Sequence, residues 1–513
     1  MLALQIVTAG VNAILIGLLA IHCVHIFQLG GYRFKGFAKW AVARSNGYAY
    51  TLLAVALLGA GLAKLLTMFI GGIWTYFALL PYVFYAVVAI VLILRKPAKV
   101  PFKYTPRAVR LLLVTTLLAG FGTFALVFFA PIWALPLLPV GAWVVAGFVL
   151  LAGVINSPFE WCVRRTYLWR ARRKLFSDEY RDVIRIGITG SYGKTSVKNI
   201  LAQILAQKYV VTQSRASFNT PMGFCITVNR DLNPATNVLI MEMGARRVGD
   251  IKTMCKLFRP QHGILTSVGV AHLETFGNEE NVRAEKMELV EAVKRAGGIA
   301  VNGAEFATRE SQEGFVKKSL GGLKCPLLGF HNSFNVALAV EMSRKLGVGE
   351  KEIEKAVAGL KPTPHRLELI DNGAGVKILD DTYNSSPHGV VAALDVLAEL
   401  TGRDLEKGGV RHIKSASTAS FQAPRAIVVT PGMVELGAVQ FEENRRFGEQ
   451  MARVADVVLI IGMTNRGAIR EGLGDFAGEV AEFATLGDAQ KTFGERFRAG
   501  DVVLFENDLP DNY

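Results

Sequence analysis

Lys194 stands behind Gly190 and Gly193 and ahead of Thr195 and Ser196, an order that suits phosphate chemistry. The β-type run at residues 184–189 breaks at Gly190, and a helical pattern resumes from Ser196 onward. Glycines let successive backbone N–H groups turn inward around an anion, and the helix N-terminus adds its positive end. Lys194 brings a full charge to the outer phosphates. The Thr195 hydroxyl suits a Mg²⁺ ion neutralising the same phosphates. Gly190, Ser191, Tyr192, Gly193, Lys194, Thr195 and Ser196 are therefore the candidate ATP-phosphate residues. The longer form of this loop has glycine at 188, where the chain carries Ile188, so the match is to the shorter G-x-x-G-K-T form.

Three further residues downstream could share that chemistry. Glu242 follows the buried run at 238–241, and a carboxylate at the C-terminal end of such a strand faces the crevice where α/β sheets bind ligands. It is expected to hold Mg²⁺ opposite the phosphate loop. His272 follows the next strand run, at 263–267, and is a candidate metal ligand or phosphate contact. Lys286 lies early in a helix-like stretch, where by itself it reads equally as a solvated residue.

The elements that must position these side chains follow from composition and pattern. The 513 residues allow roughly three domains. From residue 184 onward strands and helices alternate, predicting an α/β ATP-binding domain at 184–361. A C-terminal Rossmann-like α/β domain is expected at 362–513, with strand runs at 377–379, 426–430, 457–461 and 502–505. The Ser/Gly-rich stretch 405–423 reads as a surface loop. The five cysteines stand far apart, with no C-x-x-C pair, which argues against a zinc ribbon and a disulfide framework.

Residues 1–157 read differently. Apolar runs near 4–28, 50–70, 73–94, 111–130 and 133–156 are each about as long as a bilayer crossing requires. The expectation is an α-helical membrane bundle of about five spans, followed by a basic juxtamembrane linker at 158–183. Lys and Arg cluster after the first, third and fifth runs, and the other two connections carry none. That asymmetry predicts a multi-pass protein of the inner membrane with its N-terminus outside and its catalytic half in the cytoplasm. Lys64 would snorkel to the outer interface, and residues 161–174 would meet anionic membrane lipid. The net charge of +14 is then membrane-flanking rather than a nucleic-acid footprint.

Six pieces in order along 184–513 resemble the Mur ligase family, ATP-dependent amide ligases of peptidoglycan assembly, and within it the branch that adds D-alanyl-D-alanine. They are the phosphate loop, Glu242 with Gly249 and Asp250, residues 266–277 followed by Lys286, residues 331–338, residues 364–368, and residues 380–387. The resemblance implies that Lys194 and Thr195 hold ATP phosphates and Mg²⁺, and that Glu242 and His272 serve the metals. It aligns Lys286 with a lysine that becomes a carbamate beside a second Mg²⁺. It puts Asn332 and Asn335 at the adenine, and it brings Arg366 and Asp381 over ATP from the C-terminal domain. The implied chemistry passes a carboxylate to the γ-phosphate, giving an acyl phosphate that an amino acid or dipeptide then attacks.

The family's N-terminal domain for a uridine-diphosphate precursor has no counterpart, and the apolar runs stand in its place. That favours a muropeptide-like acceptor that is lipid-linked. Two alternatives compete: a ligase extending an amino-acid polymer such as polyglutamate, and a transporter or sensor regulated by an ATP domain. The second leaves Asn332, Asn335, Arg366 and Asp381 without a task.

Overall fold

The run at 184–189 extends as β1 (Ile184–Thr189), and later β-forming runs align beside it in parallel. In the computed structural model the described residues are 13, 17, 18, 20–42, 102–129, 142–216, 218–269, 273–383, 385–403, 424–434 and 436–507. The chain forms two units, one running to Arg164 and the other spanning Arg165–Asp508.

The second unit contains two sheets. The first joins β2 (Val211–Gln213), β3 (Val238–Glu242), β1, β4 (His262–Leu265) and β5 (Ala300–Asn302) in the order β2-β3-β1-β4-β5, all parallel. Every residue of β3 is buried, as a parallel strand covered on both faces requires. One face packs Ile200, Leu201 and Ile204 of the helix Lys194–Leu205 with Val336 and Val340 of the helix Phe330–Lys345. The other face buries Leu239, Met241, Phe258, Leu289 and Val293. Each large side chain buried in these layers stabilises the fold by roughly 1.5–3 kcal/mol before entropy is counted.

The second sheet has the order β10-β9-β8-β11-β7-β6. Its strands are β6 (Glu368–Asp371), β7 (Lys377–Asp381), β8 (Ala426–Thr430), β9 (Val457–Ile461), β10 (Glu479–Phe483) and β11 (Val502–Glu506). Only β6 runs antiparallel to its neighbour. The runs at 377–379, 426–430, 457–461 and 502–505 lie within β7, β8, β9 and β11. The stretch 405–423 lies outside the described residues.

The first unit departs from expectation. Among the described residues one helix, Val145–Leu175, is long and apolar enough to cross a membrane, so the five-span bundle is not carried forward. The physical reasons can be read run by run. The run at 133–156 enters a single helix, Ala142–Leu175, that continues through the basic segment expected to be a linker. The run at 111–130 belongs to a helix, Pro106–Phe129, whose Ala108, Leu111 and Ala119 are buried against neighbouring helices. Of the run at 4–28, the longest described stretch is the short apolar helix Ala20–Leu29, about half a bilayer crossing in length. Runs 50–70 and 73–94, with Lys64, lie outside the described residues. Apolar composition reports escape from water without naming the destination, and on the helix Pro106–Phe129 Leu113, Leu117 and Phe121 stay exposed while Ala108, Leu111 and Ala119 pack against other helices. The multi-pass inner-membrane placement, with its outside N-terminus, falls with the bundle.

Candidate functional site

The phosphate loop forms at the C-terminal edge of the first sheet, between β1 and the helix Lys194–Leu205. Gly193 caps that helix in a left-handed conformation, φ 77°, with Asn335 against its α-carbon, so a side chain here would be both strained and obstructed. Gly190 approaches Thr266 closely enough that a Cβ would fall on the threonine hydroxyl. The loop is braced by residues 266–269. Ser191 N donates to Ser267 O at 2.7 Å, Tyr192 N donates to Ser267 Oγ at 3.2 Å, and Ser191 Oγ donates to Gly269 O at 3.0 Å. Lys194 Nζ folds over the loop and donates to the carbonyls of Gly190 at 2.8 Å and Ser191 at 3.0 Å.

Glu242 ends β3 and pairs in register with Ile188 of β1, which fixes its carboxylate beside the loop. Three donors converge on it: Thr195 Oγ1 on Oε2 at 2.9 Å, Lys198 Nζ on Oε2 at 3.4 Å, and Asn219 Nδ2 on Oε1 at 3.2 Å. Lys198 also donates to the Ala216 carbonyl. Lys198 is almost fully buried and was not singled out by sequence reasoning. Its place, one helical turn after Thr195, was the signal available.

Lys286 projects from the helix Glu279–Arg295 and is 3 % exposed. Burial, then the Lys194 charge, push its pKa down to about 7 against the pull of Glu285 and Asp250. Lys194 is pushed down to about 8 by burial; Glu242 opposes that shift and Arg366 adds to it. Glu285, also missed, accepts from Gly249 N at 2.7 Å and Ile251 N at 2.6 Å. It thereby caps the helix Asp250–Phe258 and fixes the turn beside Lys286.

The second sheet contributes Arg366 and Asp381. Arg366 packs over the Tyr383 ring at 4.4 Å, and its charge is felt at Lys194, His331 and Asp381. It sits in a turn where His365 (φ 60°) and Leu367 (φ 47°) both take left-handed backbone, a cost accepted where the fold over-determines the geometry. Asp381 closes β7 opposite Glu506 of β11. Burial raises Asp381 to about 6, against the pull of Arg366. Burial and then the Asp381 charge raise Glu506 further. Ser385 Oγ donates to Glu506 Oε1 at 2.6 Å, while Oε2 meets no partner among the described residues. Glu506 left no sequence signal, because its neighbour lies over a hundred residues away along the chain.

Other expected residues are placed less directly. Asn335 touches Gly193, the phosphate end of the loop. Asn332 Nδ2 donates to the Leu328 carbonyl at 2.8 Å, so its amide is engaged by the backbone just ahead of its helix. Just before Asn332, the half-buried His331 is kept neutral, its pKa lowered to about 4 by desolvation and then by the Arg366 charge, and its Nδ1 meets no hydrogen-bond partner among the described residues. His272 lies outside the described residues. Tyr192, expected only as a loop member, also packs at 5.4 Å, its ring tilted by 60°, against His388 of the helix Pro387–Leu400.

A glycine-braced phosphate loop, an adjacent strand-end carboxylate, a buried low-pKa lysine and an arginine supplied by a second sheet define an ATP-dependent group-transfer enzyme. Residues 188–320 match the Mur ligase middle domain. The UDP-N-acetylmuramoyl-tripeptide–D-alanyl-D-alanine ligase of Bacillus subtilis is 25% identical over 353 residues, covering 63% of this chain and 72% of that one. The enzyme of that name from Mycobacterium leprae is 29% identical over 378 residues, covering 63% and 70%. Among solved structures, MurF ligase from Thermotoga maritima in complex with ADP aligns with a TM-score of 0.53 and 25% identity, over 67% of this chain and 80% of that one. The chain thus carries a Mur ligase middle domain and is similar to these ligases over about two thirds of its length. It is an ATP-dependent amide ligase of peptidoglycan synthesis, with ATP and Mg²⁺ as its cofactors.

The residues present fit those cofactors. The glycine cradle leaves no room for a Cβ, and Thr195 with Glu242 offers the hard oxygen pair that Mg²⁺ takes alongside water and phosphate oxygens. Among the described residues no group of three or more His, Cys, Asp and Glu side chains forms an all-protein cage. That also suits Mg²⁺, which retains waters and substrate oxygens.

Proposed function

We propose that the chain joins a D-alanyl-D-alanine dipeptide to the terminal carboxylate of a muramyl-tripeptide acceptor through an acyl phosphate. The observation that carries this reading is the reach of the Arg366 charge, from the turn leading into the second sheet, to Lys194 of the loop, whose own charge acts on the buried Lys286. The acceptor carboxylate attacks the γ-phosphorus and ADP leaves. The dipeptide amine then attacks the acyl carbon, losing a proton as the C–N bond forms, and phosphate departs.

Each residue has a task that follows from its chemistry. Lys194 and Arg366 offset charge spreading over the transferred phosphoryl group, where positioning and electrostatics supply most of the rate. Mg²⁺, when bound, neutralises phosphate charge, and Thr195 and Glu242 are the residues that would hold it. Lys286, with a pKa near neutrality, presents an unprotonated amine able to add CO₂, and the resulting carbamate supplies an anionic ligand. Asn335 and Asn332 lie on one helix beside the loop and line the nucleotide's path. The tilted Tyr192–His388 ring contact ties the second sheet's helix to the phosphate loop, a contact suited to excluding water from an acyl phosphate.

The test is phosphate release by the purified protein with Mg²⁺-ATP, a UDP-muramyl tripeptide and D-alanyl-D-alanine. Positional isotope exchange in ATP, dependent on acceptor but not on dipeptide, is expected. Turnover that ignores the acceptor would sink the reading.

A further inference from the structure

The first unit holds a cluster with no part in the reaction above. Arg107 and Arg110 open the helix Pro106–Phe129, and both reach Glu160 of the helix Ala142–Leu175. Arg107 Nε stands 3.5 Å from Glu160 Oε2, beyond good hydrogen-bond geometry, while Arg110 bonds Oε1 directly. Each guanidinium also lies on an aromatic face: Arg107 over Tyr32 at 4.0 Å and Arg110 over Phe159 at 4.7 Å. Stacking fixes a guanidinium plane and leaves its N–H edge for an in-plane acceptor.

Acceptors fall short here. Among the described residues two guanidiniums face one carboxylate, an excess of one positive charge. Arg107 Nε, Arg110 Nε and Tyr32 Oη are buried atoms with no hydrogen-bond partner among the described residues. Buried donors are nearly always paired, so three orphans in one cluster call for an acceptor beyond those that the described residues supply. Arg107 and Glu160 line a cavity of about 20 Å³, with Asn156 and Ser157 beside them and Phe27 and Phe34 on the apolar side. That volume admits a single water-sized group, such as one oxygen of a larger anion.

We propose that Arg107, Arg110 and Tyr32 form a phosphate-type oxyanion site, with Glu160 as the internal counter-charge that holds both guanidiniums in place until an anion arrives. The ligand class is a phosphate monoester or diphosphate. An adjoining apolar wall lets the same chemistry come from a free nucleotide diphosphate or from a lipid phosphate. The Glu160 carboxylate competes with the ligand for the same N–H groups, which gives the site a diagnostic sign.

The experiment uses the full chain with its nucleotide site saturated by Mg²⁺-ADP, so that the loop at Lys194 does not report. Titration calorimetry with UDP forms one arm. Flotation with phosphatidylcholine vesicles containing phosphatidic acid, against phosphatidylcholine alone, forms the other. Binding in either arm that weakens about tenfold or more in the double variant Arg107→Gln/Arg110→Gln supports the site and names the ligand's source. Glu160→Gln is expected to tighten the same binding by about threefold or more, an effect that misfolding cannot imitate. Absence of binding in both arms, or binding that neither substitution moves, overturns the proposal.

Discussion

The two sheets of the second unit present charge at the C-terminal ends of their parallel strands, and they do so with opposite sign. The first sheet gathers Lys194 and Lys198 near Glu242, with Lys286 beside Lys194 and Glu285. The second sets the carboxyls of Asp381 and Glu506 beside the single guanidinium of Arg366. Burial drives both sets toward neutrality, the lysines by losing protons and the carboxyls by keeping them. Arg366 joins the two, since its charge acts on Lys194 as well as on Asp381. The lesson is that neither edge is a complete site. The first has cations for phosphate, and the second supplies the arginine together with the carboxyl pair beside it.

The sharpest way to break this comparison is to remove the cation that only the first sheet owns. Lys194→Ala is expected to lower acceptor-stimulated phosphate release on the order of a thousandfold, with the fold intact by circular dichroism. Arg366→Ala comes next. It should lower kcat on the order of a hundredfold while leaving nucleotide affinity within a fewfold, because ATP first meets the loop of the other sheet. A matching loss of nucleotide affinity would show that Arg366 belongs to the first edge.

The opposite pKa shifts give opposite stability slopes. Lys286 titrates near 7 when folded, against an unfolded value near 10.4, so the unfolded chain binds the extra proton across that window. Stability therefore rises with pH from about 7 upward, by at most about 1.4 kcal/mol per unit for this group, with Lys194 joining above about 8. Asp381 is raised to about 6, from about 3.9 unfolded, so the folded chain keeps the proton and stability falls as pH rises between those values. Denaturant melts across pH should show Lys286→Met flattening the rise between pH 7 and 8, and Asp381→Asn flattening the acidic fall. The Lys286→Met protein should also be more stable than the parent at pH 7, by about 1–3 kcal/mol, though inactive. An unchanged pH profile would mean that the lysine is not held neutral.

The smallest expected effect tests the aromatic tie between the sheets. His388→Ala should reduce kcat by about threefold to tenfold and raise uncoupled ATP hydrolysis, since closure excludes water less well. Equal coupling in the variant would reduce the ring pair to a packing contact.

The phosphate loop was readable because its chemistry is local: strand, glycines, lysine and helix follow one another without interruption. Glu242 was readable because it ends an apolar strand run, and a strand end in a parallel sheet is a place in space as well as in sequence, whereas Asp381 came only from the resemblance carried by residues 380–387. Glu506 ends a strand as well, but its importance comes from lying opposite Asp381, a pairing set by sheet order. Lys198 and Glu285 became visible only with their partners, Glu242 and the helix beginning at Asp250. The apolar runs at the start of the chain misled because hydropathy measures the wish to leave water and not the destination.

What the sequence determined by itself was the machinery of short range: the cradle for ATP phosphates, the alternation that builds two α/β layers, and the order of motifs that marks an amide ligase. What the tertiary structure decided was charge state and partnership. Lys286 approaches neutrality, Asp381 keeps a proton past its usual pH, and Arg366 answers to both sheets. Each of these depends on burial and on neighbours brought from elsewhere along the chain. Desolvation and Coulomb interaction act through space, and linear order carries that information only where folding has kept it local.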